Sequence, residues 1–503
     1  MTTVYEVTEQ DIQILGSKIK QYKIKLELLN SQLQTIDTIQ GDCLSCSYNC
    51  DSTSDIRRTC AVKVFIKDKT YNLDENSKFW FNRFLKIYIG LKTISSNGFI
   101  YYPLGLFTYS ESDYTWDSSN RTLDLKAVDF VWYLTQTKIG GAETTKIPNG
   151  NIIRNALISI VTQLGGFSKY NIVDIHNIKD STMNTVPYDI EVNAGTTVWE
   201  LITKLRDLYI GYECFCDMDM FITRQIPTMI EDPVVLDYET IIKKQLVLSE
   251  NMKVDFNTVR NVTEIFGSTI DVDGYTNTCT NSGSAYSCII DSVTELYDGL
   301  KVAVKLNVAN SVSPTLNVSN LGAHAIVNSD GTTLVAGTIN DYTAFEYKNE
   351  QWIVLGKYQV HSVCILRNTE PSDAEKTQDK ITYNTDSIIY RVMPNSQFAI
   401  EKIGIRKDVK TGSDYENIYS NDLCEQRAQY ENWKSTRLNR VLELGIQTIP
   451  FADVNQKFTY KLLSTGEIKT FITTKISSDD LTKGTETIEA TEFFETYPNG
   501  TSY

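Results

Sequence analysis

Four cysteines near the N-terminus come closest, by residue type and spacing, to a site that could do chemistry. Cys43, Cys46, Cys50 and Cys60 follow the pattern Cys-x2-Cys-x3-Cys-x9-Cys, and thiolates are ligands that zinc accepts. The same stretch alternates like a β-strand, in which Cys46, Tyr48 and Cys50 share one face while Cys43 lies on the other. The sequence therefore favours buried strand thiols over a metal site, and it predicts no cofactor.

Two further cysteine pairs carry weaker signals. Cys214 and Cys216 are two residues apart and share a strand face. Cys279 and Cys288 lie in a stretch rich in Ser, Thr and Asn, and they could pair only if the protein meets an oxidising exterior. The first ten residues have neither the basic nor the apolar region of a secretory signal. We therefore expect synthesis in a cytoplasm, where thiols stay reduced.

Enzyme chemistry has little support in the sequence. No histidine has a second imidazole at metal-ligand spacing. Neither a Gly-x-Ser-x-Gly elbow, a phosphate-binding loop nor Gly-x-Gly-x-x-Gly is present, and the closely spaced carboxylates fit solvated turns better than a glycosidase site. We therefore predict no enzyme activity and no catalytic or metal-binding residues. The residues considered are His176, His324, His361, Asp217 with Asp219, and Asp271 with Asp273.

Composition narrows the class of protein. The chain has 503 residues, more than one hydrophobic core can serve, so several domains are expected. A formal net charge of −15 opposes binding to nucleic-acid phosphates, and no apolar run is long enough for a membrane segment. Tyr accounts for 29 residues, and Val, Ile, Thr and Tyr recur in short alternating runs, which predicts mostly strand.

The predicted strands and helices fall into four regions of the chain. An alternating run places Ile24, Leu26 and Leu28 on one buried face, while a later helical run opens with a capping box of Thr197 and Glu200. We predict an α+β, predominantly β, multidomain fold with two β-barrel-like domains, a small α+β domain and an inserted β-module. The predicted regions are residues 1–135 (β-barrel-like), 136–265 (α+β), 285–360 (inserted β-module) and 361–503 (C-terminal β-domain with a long helix over 421–440).

Several sequence blocks follow one another in a characteristic order. They are Ser54-Asp55-Ile56-Arg57-Arg58-Thr59-Cys60, residues 82–91, 102–107 and 121–129, and Tyr415-Glu416-Asn417-Ile418-Tyr419-Ser420-Asn421-Asp422-Leu423. This succession resembles one known family, the tail hub proteins of tailed phages and phage-tail-like particles, and the resemblance covers roughly residues 1–265 and 360–497. Residues 290–358 resemble instead the small β-modules of phage tail fibre and appendage proteins.

The family resemblance implies a structural protein. A tail hub is expected to form a homotrimeric ring that joins the end of the tail tube to the spike or tip. The implied partners are the tail tube or distal tail protein, the spike or tail-tip protein, the tape measure protein and other baseplate proteins. The implied location is the tail tip or baseplate of a virion, or of a bacteriocin-like particle, assembled in the bacterial host cytoplasm.

The resemblance also suggests candidate assembly contacts. Arg57, Arg58 and Glu416 belong to the matching blocks, and they could form an ion pair between domains or subunits, or remain solvated surface charges.

The inserted module suggests an alternative function, a receptor- or carbohydrate-binding adhesin used in host cell attachment. Its candidate surface is Tyr342, Tyr347 and Trp352, since aromatic faces suit sugar stacking, although the same residues would also fill a small β-core. A third possibility is a peptidoglycan hydrolase, which the resemblance favours least.

Overall fold

The computed structural model describes most of the chain, and every statement below about something absent refers to this part alone. The described residues are 7–40, 42–67, 80, 83–94, 96–140, 145–177, 180–187, 189–217, 220–229, 232–269, 277–357, 361–369, 383–384, 389–393, 397–412, 415, 418 and 421–494.

Two compact units make up the fold. The first unit contains Met1–Thr258 and Leu438–Ser502, and the second contains Val259–Arg437. Strand accounts for 46% and helix for 15% of the structure, so the prediction of a predominantly β fold is confirmed.

The strands and helices are numbered in chain order. The strands are β1 (Lys20–Leu29), β2 (Thr35–Gln40), β3 (Cys43–Asp51), β4 (Arg58–Phe65), β5 (Phe84–Thr93), β6 (Ile100–Asp117), β7 (Thr122–Asp129), β8 (Thr145–Ile147), β9 (Tyr170–Ile172), β10 (Ile190–Val192), β11 (Tyr212–Asp217), β12 (Met220–Gln225), β13 (Val234–Leu236), β14 (Val247–Val254), β15 (Val262–Thr269), β16 (Thr280–Ser282), β17 (Ala285–Cys288), β18 (Lys301–Leu306), β19 (Thr315–Val318), β20 (Ala323–Val327), β21 (Asp341–Lys348), β22 (Gln351–Lys357), β23 (His361–Asn368), β24 (Tyr383–Asn384), β25 (Ile389–Met393), β26 (Lys407–Lys410), β27 (Arg440–Gln447), β28 (Lys457–Lys461), β29 (Ile468–Ser478) and β30 (Thr485–Glu492). The helices are α1 (Glu9–Leu15), α2 (Val131–Gln136), α3 (Ile153–Gln163), α4 (Val198–Arg206), α5 (Tyr238–Lys243), α6 (Ile400–Ile403) and α7 (Asn421–Ser435), with 3-10 turns at Phe256–Thr258 and Leu481–Lys483.

A thirteen-stranded sheet dominates the first unit. Its main path runs β14-β27-β30-β29-β3-β4-β7-β6-β5-β1-β2, and β28 attaches to β29 and to β13. Strands from the two ends of the chain meet where β29 pairs antiparallel with β3, with Ile476 opposite Cys50. Two β-barrel-like domains were predicted, but strands from both regions are neighbours in this one sheet, and no sheet among the described residues closes into a barrel.

Buried and water-contacting residues alternate along β1 of this sheet, as the sequence predicted. Ile24, Leu26 and Leu28 of β1 are fully buried among other strand residues, whereas the intervening side chains keep contact with water. Because successive strand residues point to opposite faces, this pattern fixes which face of β1 packs inward.

A smaller α+β portion of the first unit packs against the sheet. It contains α3, α4 and the three-stranded sheet β11-β12-β9. The predicted capping box starts α4: Thr197 accepts a hydrogen bond from the Glu200 amide, and the Glu200 carboxylate accepts one from the Thr197 amide. Leu201, Ile202 and Leu205 on the inner face of α4 are fully buried.

The second unit contains a five-stranded sheet with α7 packed on it. Cys424 and Ala428 of α7 contact a core that includes Ile265 of β15. The helix ends at Ser435 rather than at residue 440 as predicted. Residue 440 is instead the first residue of β27, and the buried Thr436 hydroxyl directly after the helix donates to the Arg260 carbonyl.

A seven-stranded sheet in the region where an inserted β-module was predicted also lies in the second unit and has a core of its own. Its seven strands follow the order β16-β17-β19-β20-β22-β21-β18. Trp352, Phe345 and Tyr286 are the largest side chains buried there. We refer to residues 277–357 as the inserted module.

Candidate functional site

A buried cluster of charged side chains lies in the first unit, around the Arg57-Arg58 block. Buried arginines and carboxylates are rare in proteins unless they are paired. Here three guanidiniums and four carboxylates surround one aromatic ring. We call this group the ion cluster, and its members are Arg57, Arg58, Asp129, Glu213, Asp217, Arg224, Asp453 and Phe215.

Strand geometry accounts for the local placement of the acidic members. Glu213, Phe215 and Asp217 alternate along β11, so their side chains project from one face of the strand. Arg224 stands directly opposite Glu213 in the antiparallel β11–β12 register, and its Nε donates to the Glu213 carboxylate. Such cross-strand pairs of opposite charge stabilise a sheet.

Arg57 reaches this face from the turn between β3 and β4. Its Nη1 donates to Glu213 Oε2 at 2.9 Å, and its Nη2 donates to the Val454 carbonyl at 3.2 Å. The turn itself is held by a 2.9 Å hydrogen bond from the Asp51 amide to the Arg57 carbonyl. Arg57 therefore joins the N-terminal sheet strands to β11 and to a C-terminal loop.

Arg58 opens β4 and makes a different set of contacts. Its Nη1 donates to the Cys216 carbonyl at 3.0 Å and lies 3.6 Å from Asp217 Oδ1. Its Nη2 donates to both carboxylate oxygens of Asp453 at 3.3 Å. The two adjacent arginines thus bind different partners on β11 and share one partner in the loop that follows β27.

Asp453 is the central anion of the cluster. Its carboxylate lies 3.5 Å from Arg57 Nη2 and 3.5 Å from Arg224 Nη2, in addition to the bonds from Arg58. The Val454 amide also donates to Asp453 Oδ1 at 2.9 Å, which fixes the carboxylate relative to its own backbone. One side chain therefore binds all three guanidiniums.

The ring of Phe215 packs among the three guanidiniums. Its centroid lies 4.2 Å from Arg57 Cζ, 4.9 Å from Arg224 Cζ and 5.6 Å from Arg58 Cζ. Cations over an aromatic face are attracted by the ring quadrupole, and more strongly where water is excluded. The ring separates the three positive charges and also attracts them, which partly stabilises them in the buried site.

Gly105 lets β6 approach the stem of Arg58. Its φ is +145°, and a Cβ added there would lie 3.3 Å from Arg58 Cδ and 3.3 Å from the Phe107 ring. The β5–β6 register shifts at this point, between Ile87 and Tyr88. A glycine is therefore required both by the backbone conformation and by the crowding beside Arg58.

Asp129 lies at the edge of the cluster and is the least satisfied carboxylate in it. Its Oδ1 accepts from the Val131 amide at 2.9 Å, but its buried Oδ2 has no hydrogen-bond partner and lies 3.9 Å from Arg58 Nη1. A cavity of about 40 Å³, lined by Arg58, Asp217 and Asp453 among others, adjoins the cluster. Such a volume is large enough for one or a few waters.

The carboxylates of the cluster differ in pKa because their surroundings differ. Burial raises the pKa of Asp129 to about 7, against the opposing effect of Arg58, and burial also raises the pKa of Asp217. Burial alone would raise the pKa of Asp453, but the guanidiniums of Arg57, Arg58 and Arg224 hold it well below its usual range. Near neutral pH, partial protonation of Asp129 brings the charges of the cluster close to balance.

This arrangement suits a structural clamp rather than a catalytic site. Its arginines are only about 4% exposed, and the Nη atoms of Arg57 and Arg58 donate to groups of the same chain, whereas their Nε atoms have no hydrogen-bond partner in the described part of the chain. In the part of the chain that the structure describes, no group of three or more His, Cys, Asp or Glu residues could hold a metal ion. Removing one partner from such a buried set costs several kcal/mol, because an unpaired buried charge remains.

The structure describes two of the three candidate assembly residues predicted from the sequence. The structure brings Arg57 and Arg58 together in the ion cluster, and both are buried within the chain. Glu416 lies outside the described residues.

Sequence reasoning missed several members of the cluster. The alternation of Glu213, Phe215 and Asp217 with Arg224 across a tight turn could have indicated it. Asp453 had no local signal, because its bond to Arg58 spans 395 residues of sequence.

The aromatic residues proposed as a surface of the inserted module lie mostly inside it. Trp352 is fully buried and Tyr347 is 7% exposed, and their rings pack edge to face with centroids 5.1 Å apart. This is the core-packing alternative that the sequence left open. Tyr342 keeps partial exposure, with Lys305 Nζ 5.3 Å from its ring centroid.

Comparison with known proteins gives a partial family match and several similar solved structures. Residues 395–497 match a family described as a domain of unknown function (DUF5048). The search of curated proteins found no match.

Several of the similar solved structures are phage tail and baseplate proteins, the class that the sequence blocks resemble. The 43 kDa tail protein of prophage MuSo2 from Shewanella oneidensis is 11% identical, with a TM-score of 0.44, covering 93% of this chain and 98% of that one. A tail protein from Neisseria meningitidis is 7% identical, with a TM-score of 0.46, covering 95% and 99%. The phage P2 baseplate in its activated conformation gives 9% identity and a TM-score of 0.27, covering 93% and 98%.

The helices were also compared with the requirements for crossing a bilayer. Among the described residues, no helix is both long and apolar enough to span a membrane.

Proposed function

We propose that the chain is a structural tail hub protein, which forms a trimeric ring between the end of the tail tube and the spike or tip. The observation that carries the proposal is the ion cluster. It ties the Arg57-Arg58 block, the earliest block of the family resemblance, to β11 through Glu213 and to the C-terminal loop through Asp453. Three segments far apart in sequence thereby form one framework.

A hub needs such a framework because it must present fixed surfaces to several partners at once. Buried ion pairs add little net stability compared with apolar packing, but a satisfied polar network admits few alternative arrangements. The cluster binds the Nη groups of Arg57 and Arg58 within the chain, with Arg58 bound to a carbonyl and two carboxylates. Its proposed role is to define the geometry of the first unit, and the ring contacts are then expected elsewhere on that unit.

The end strands of the thirteen-stranded sheet are candidates for those ring contacts. Among the described residues, β14 and β2 are each paired on one side only. Leu248 is 59% exposed, Val254 41% and Phe256 65%, on or directly after β14. An exposed strand edge with apolar side chains invites pairing with another chain, and an obligate interface buries on the order of 2,000 Å² or more. We propose that β14 contributes to the contact between subunits.

Measurement of the molar mass in solution tests this proposal. The full chain should elute at three times the 57.1 kDa chain mass in size-exclusion chromatography with light scattering. The double variant Leu248→Lys with Phe256→Lys should lower that mass, whereas Val335→Lys should not, although Val335 is 74% exposed in the inserted module. A wild-type chain that stays monomeric over a dilution series would contradict the trimer, and an unchanged mass of the double variant would contradict the β14 contact.

The proposed partners and location follow from the same function. We propose contacts with the tail tube or distal tail protein, the spike or tail-tip protein, the tape measure protein and other baseplate proteins, at the tail tip of a virion or phage-like particle. Immunogold electron microscopy of intact and tip-sheared tails tests this location. Label confined to the distal end, and stronger after shearing, would support a hub, whereas label along fibres would contradict it.

A second candidate function is adhesion by the inserted module. Val312 and Val335 are 65% and 74% exposed on neighbouring loops, and the buried Asn310 fixes these loops. Its Nδ2 donates to the Val335 carbonyl at 2.8 Å, and its Oδ1 accepts from the Ile339 amide at 2.8 Å. Rigidly held apolar loop residues are typical of recognition surfaces.

Loss of cell binding with unchanged assembly would favour adhesion. The variant Val312→Ser with Val335→Ser should weaken the binding of labelled protein to host cells while its molar mass remains that of the wild type. Deletion of residues 285–360 should have the same effect. Wild-type binding by the double variant would contradict a role for these loops.

A further inference from the structure

Two buried cysteines face each other across a hairpin of the inserted module. β16 and β17 pair antiparallel with Thr280 opposite Ser287, so the next residues outward in the same register are Cys279 and Cys288. Both thiols are free, both are buried in the core of the module, and they are hydrogen-bonded to each other. Neither contributes to the ion cluster or to the proposed ring contacts.

Backbone hydrogen bonds define which kind of cross-strand pair these cysteines form. The Cys279 amide donates away from β17, to the Lys305 carbonyl at 2.8 Å, and the Cys288 carbonyl accepts from the Ser319 amide at 2.8 Å, away from β16. The two residues are therefore a non-hydrogen-bonded pair. In such a pair the Cα atoms are about 4.5 Å apart and the side chains approach most closely, which falls within the roughly 4.4–6.8 Å that a disulfide spans.

The two sulfurs differ in reactivity. The hydrogen bond between the two thiols lowers the pKa of Cys288, although burial opposes this shift. A lower pKa increases the thiolate fraction, and the thiolate is the attacking species in disulfide exchange. Access is provided by the short hairpin: β16 has three residues at the end of the sheet, and Thr280 and Ser282 are exposed. Such short end strands open locally at low cost in free energy.

We propose that Cys279 and Cys288 form a disulfide by exchange with a low-molecular-weight disulfide when the protein leaves a reducing cytoplasm. In the first step the Cys288 thiolate attacks the small disulfide, forms a mixed disulfide and releases one small thiolate. The Cys279 thiolate then attacks the Cys288 sulfur and releases the second. Overall, two protein thiols are oxidised, one small disulfide is reduced to two thiols, and the bond links the first strand of the inserted module to its neighbour.

Peptide mapping of the full-length protein tests the proposal. The protein is purified anaerobically with reductant, then incubated with excess oxidised glutathione, and free thiols are alkylated before digestion. We expect the peptides of Cys279 and Cys288 to be joined with loss of two hydrogens. Amide hydrogen exchange in β17 should slow at least about tenfold, because the bond closes a short loop. Cys288→Ser should abolish both effects and leave a Cys279–glutathione adduct at most.

An internal control is provided by Cys214 and Cys216 on β11. They are also buried and close in sequence, but strand neighbours two apart have parallel side chains, so their Cβ atoms stay about 6.6 Å apart, beyond the roughly 3.5–4.5 Å between Cβ atoms that a disulfide requires. These two should be recovered alkylated and unlinked. If Cys279 and Cys288 are also recovered unlinked from folded protein, although they become linked after denaturation in the same buffer, the proposal is wrong. Disulfide-linked dimers of the chain through either residue would overturn it as well.

Discussion

Replacement of Asp453 by Asn tests whether the ion cluster holds the first unit together. Asn has nearly the shape of Asp and can still accept the 2.9 Å hydrogen bond from the Val454 amide, so the change removes mainly the charge. That charge faces Arg57, Arg58 and Arg224 at 3.3–3.5 Å. All three guanidiniums are buried and cannot turn to water.

The expected loss follows from the cost of leaving buried charge uncompensated. Removing one partner of a buried ion pair typically costs about 3–5 kcal/mol. Glu213 and Asp217 remain near the arginines, so we expect the lower half of that range, about 3–4 kcal/mol. In a unit of this size that corresponds to a fall in Tm of roughly 4–6 °C, measured by differential scanning calorimetry. Asp124→Asn is the matched control, because Asp124 is half exposed and its single ion pair, with Lys63, is a surface pair.

The pH dependence provides an independent check. Because the pKa of Asp453 is depressed in the folded state, its stabilisation is fully present above its ordinary pKa of 3.8 and is lost only as the pH falls below it. The difference in Tm between wild type and Asp453→Asn should therefore stay constant from about pH 5 to 8 and narrow in more acidic buffer. A variant that melts within about 1 °C of the wild type at pH 7 would refute the reasoning, since the cluster would then contribute nothing.

Three further predictions concern single side chains. The pKa of Asp129 is raised to about 7, so the folded state holds this proton more tightly than the unfolded state and loses stability as the pH rises from about 4 to 7. Asp129→Asn should therefore have a higher Tm than the wild type at pH 8 but not at pH 4. A pH-independent difference in Tm would contradict this prediction. Gly105→Ala should lower the free energy of unfolding, measured in urea, by at least about 1 kcal/mol more than Gly98→Ala, because both glycines have positive φ but only Gly105 has neighbours within 4 Å. Equal losses would exclude crowding beside Arg58. Trp352→Ala should destabilise the inserted module by about 3–5 kcal/mol, whereas Tyr342→Ala should destabilise it by under about 1 kcal/mol. Amide hydrogen exchange in the module measures both changes. The opposite order would favour a surface role for Trp352.

Local order was predictable from the sequence because local physics determines it. The alternation around Leu26 required a strand with one buried face, and Thr197 followed by Glu200 satisfied the free amides at the start of a helix. The end of α7 was not predictable in the same way. Directly after its last residue, the Thr436 hydroxyl donates to the carbonyl of Arg260, a residue far away in sequence.

Long-range pairing was beyond the reach of sequence patterns. Two β-barrel-like domains were a reasonable expectation from two strand-rich ends, but the pairing of β29 with β3 merges both ends into one sheet. Periodicity reports which face of a strand is buried and says nothing about which strand lies beside it. The cluster was hidden for the same reason, since Asp453 has no pattern around it that distinguishes it from a solvated aspartate.

The structure also changes what the Arg57-Arg58 block can mean for assembly. The charged pair was predicted to form an ion pair between domains or subunits, or to remain solvated, and each guanidinium here is bound by carboxylates of its own chain. A charge reversal at Arg57 would therefore place a fifth carboxylate in the ion cluster, against Glu213 and Asp453, and should destabilise the first unit before it alters any contact between subunits. Loss of assembly in such a variant would not identify an interface. The contacts of a ring must be sought on surfaces that the fold leaves open, and the edge of β14, with Phe256 exposed beside it, is where the experiments should begin.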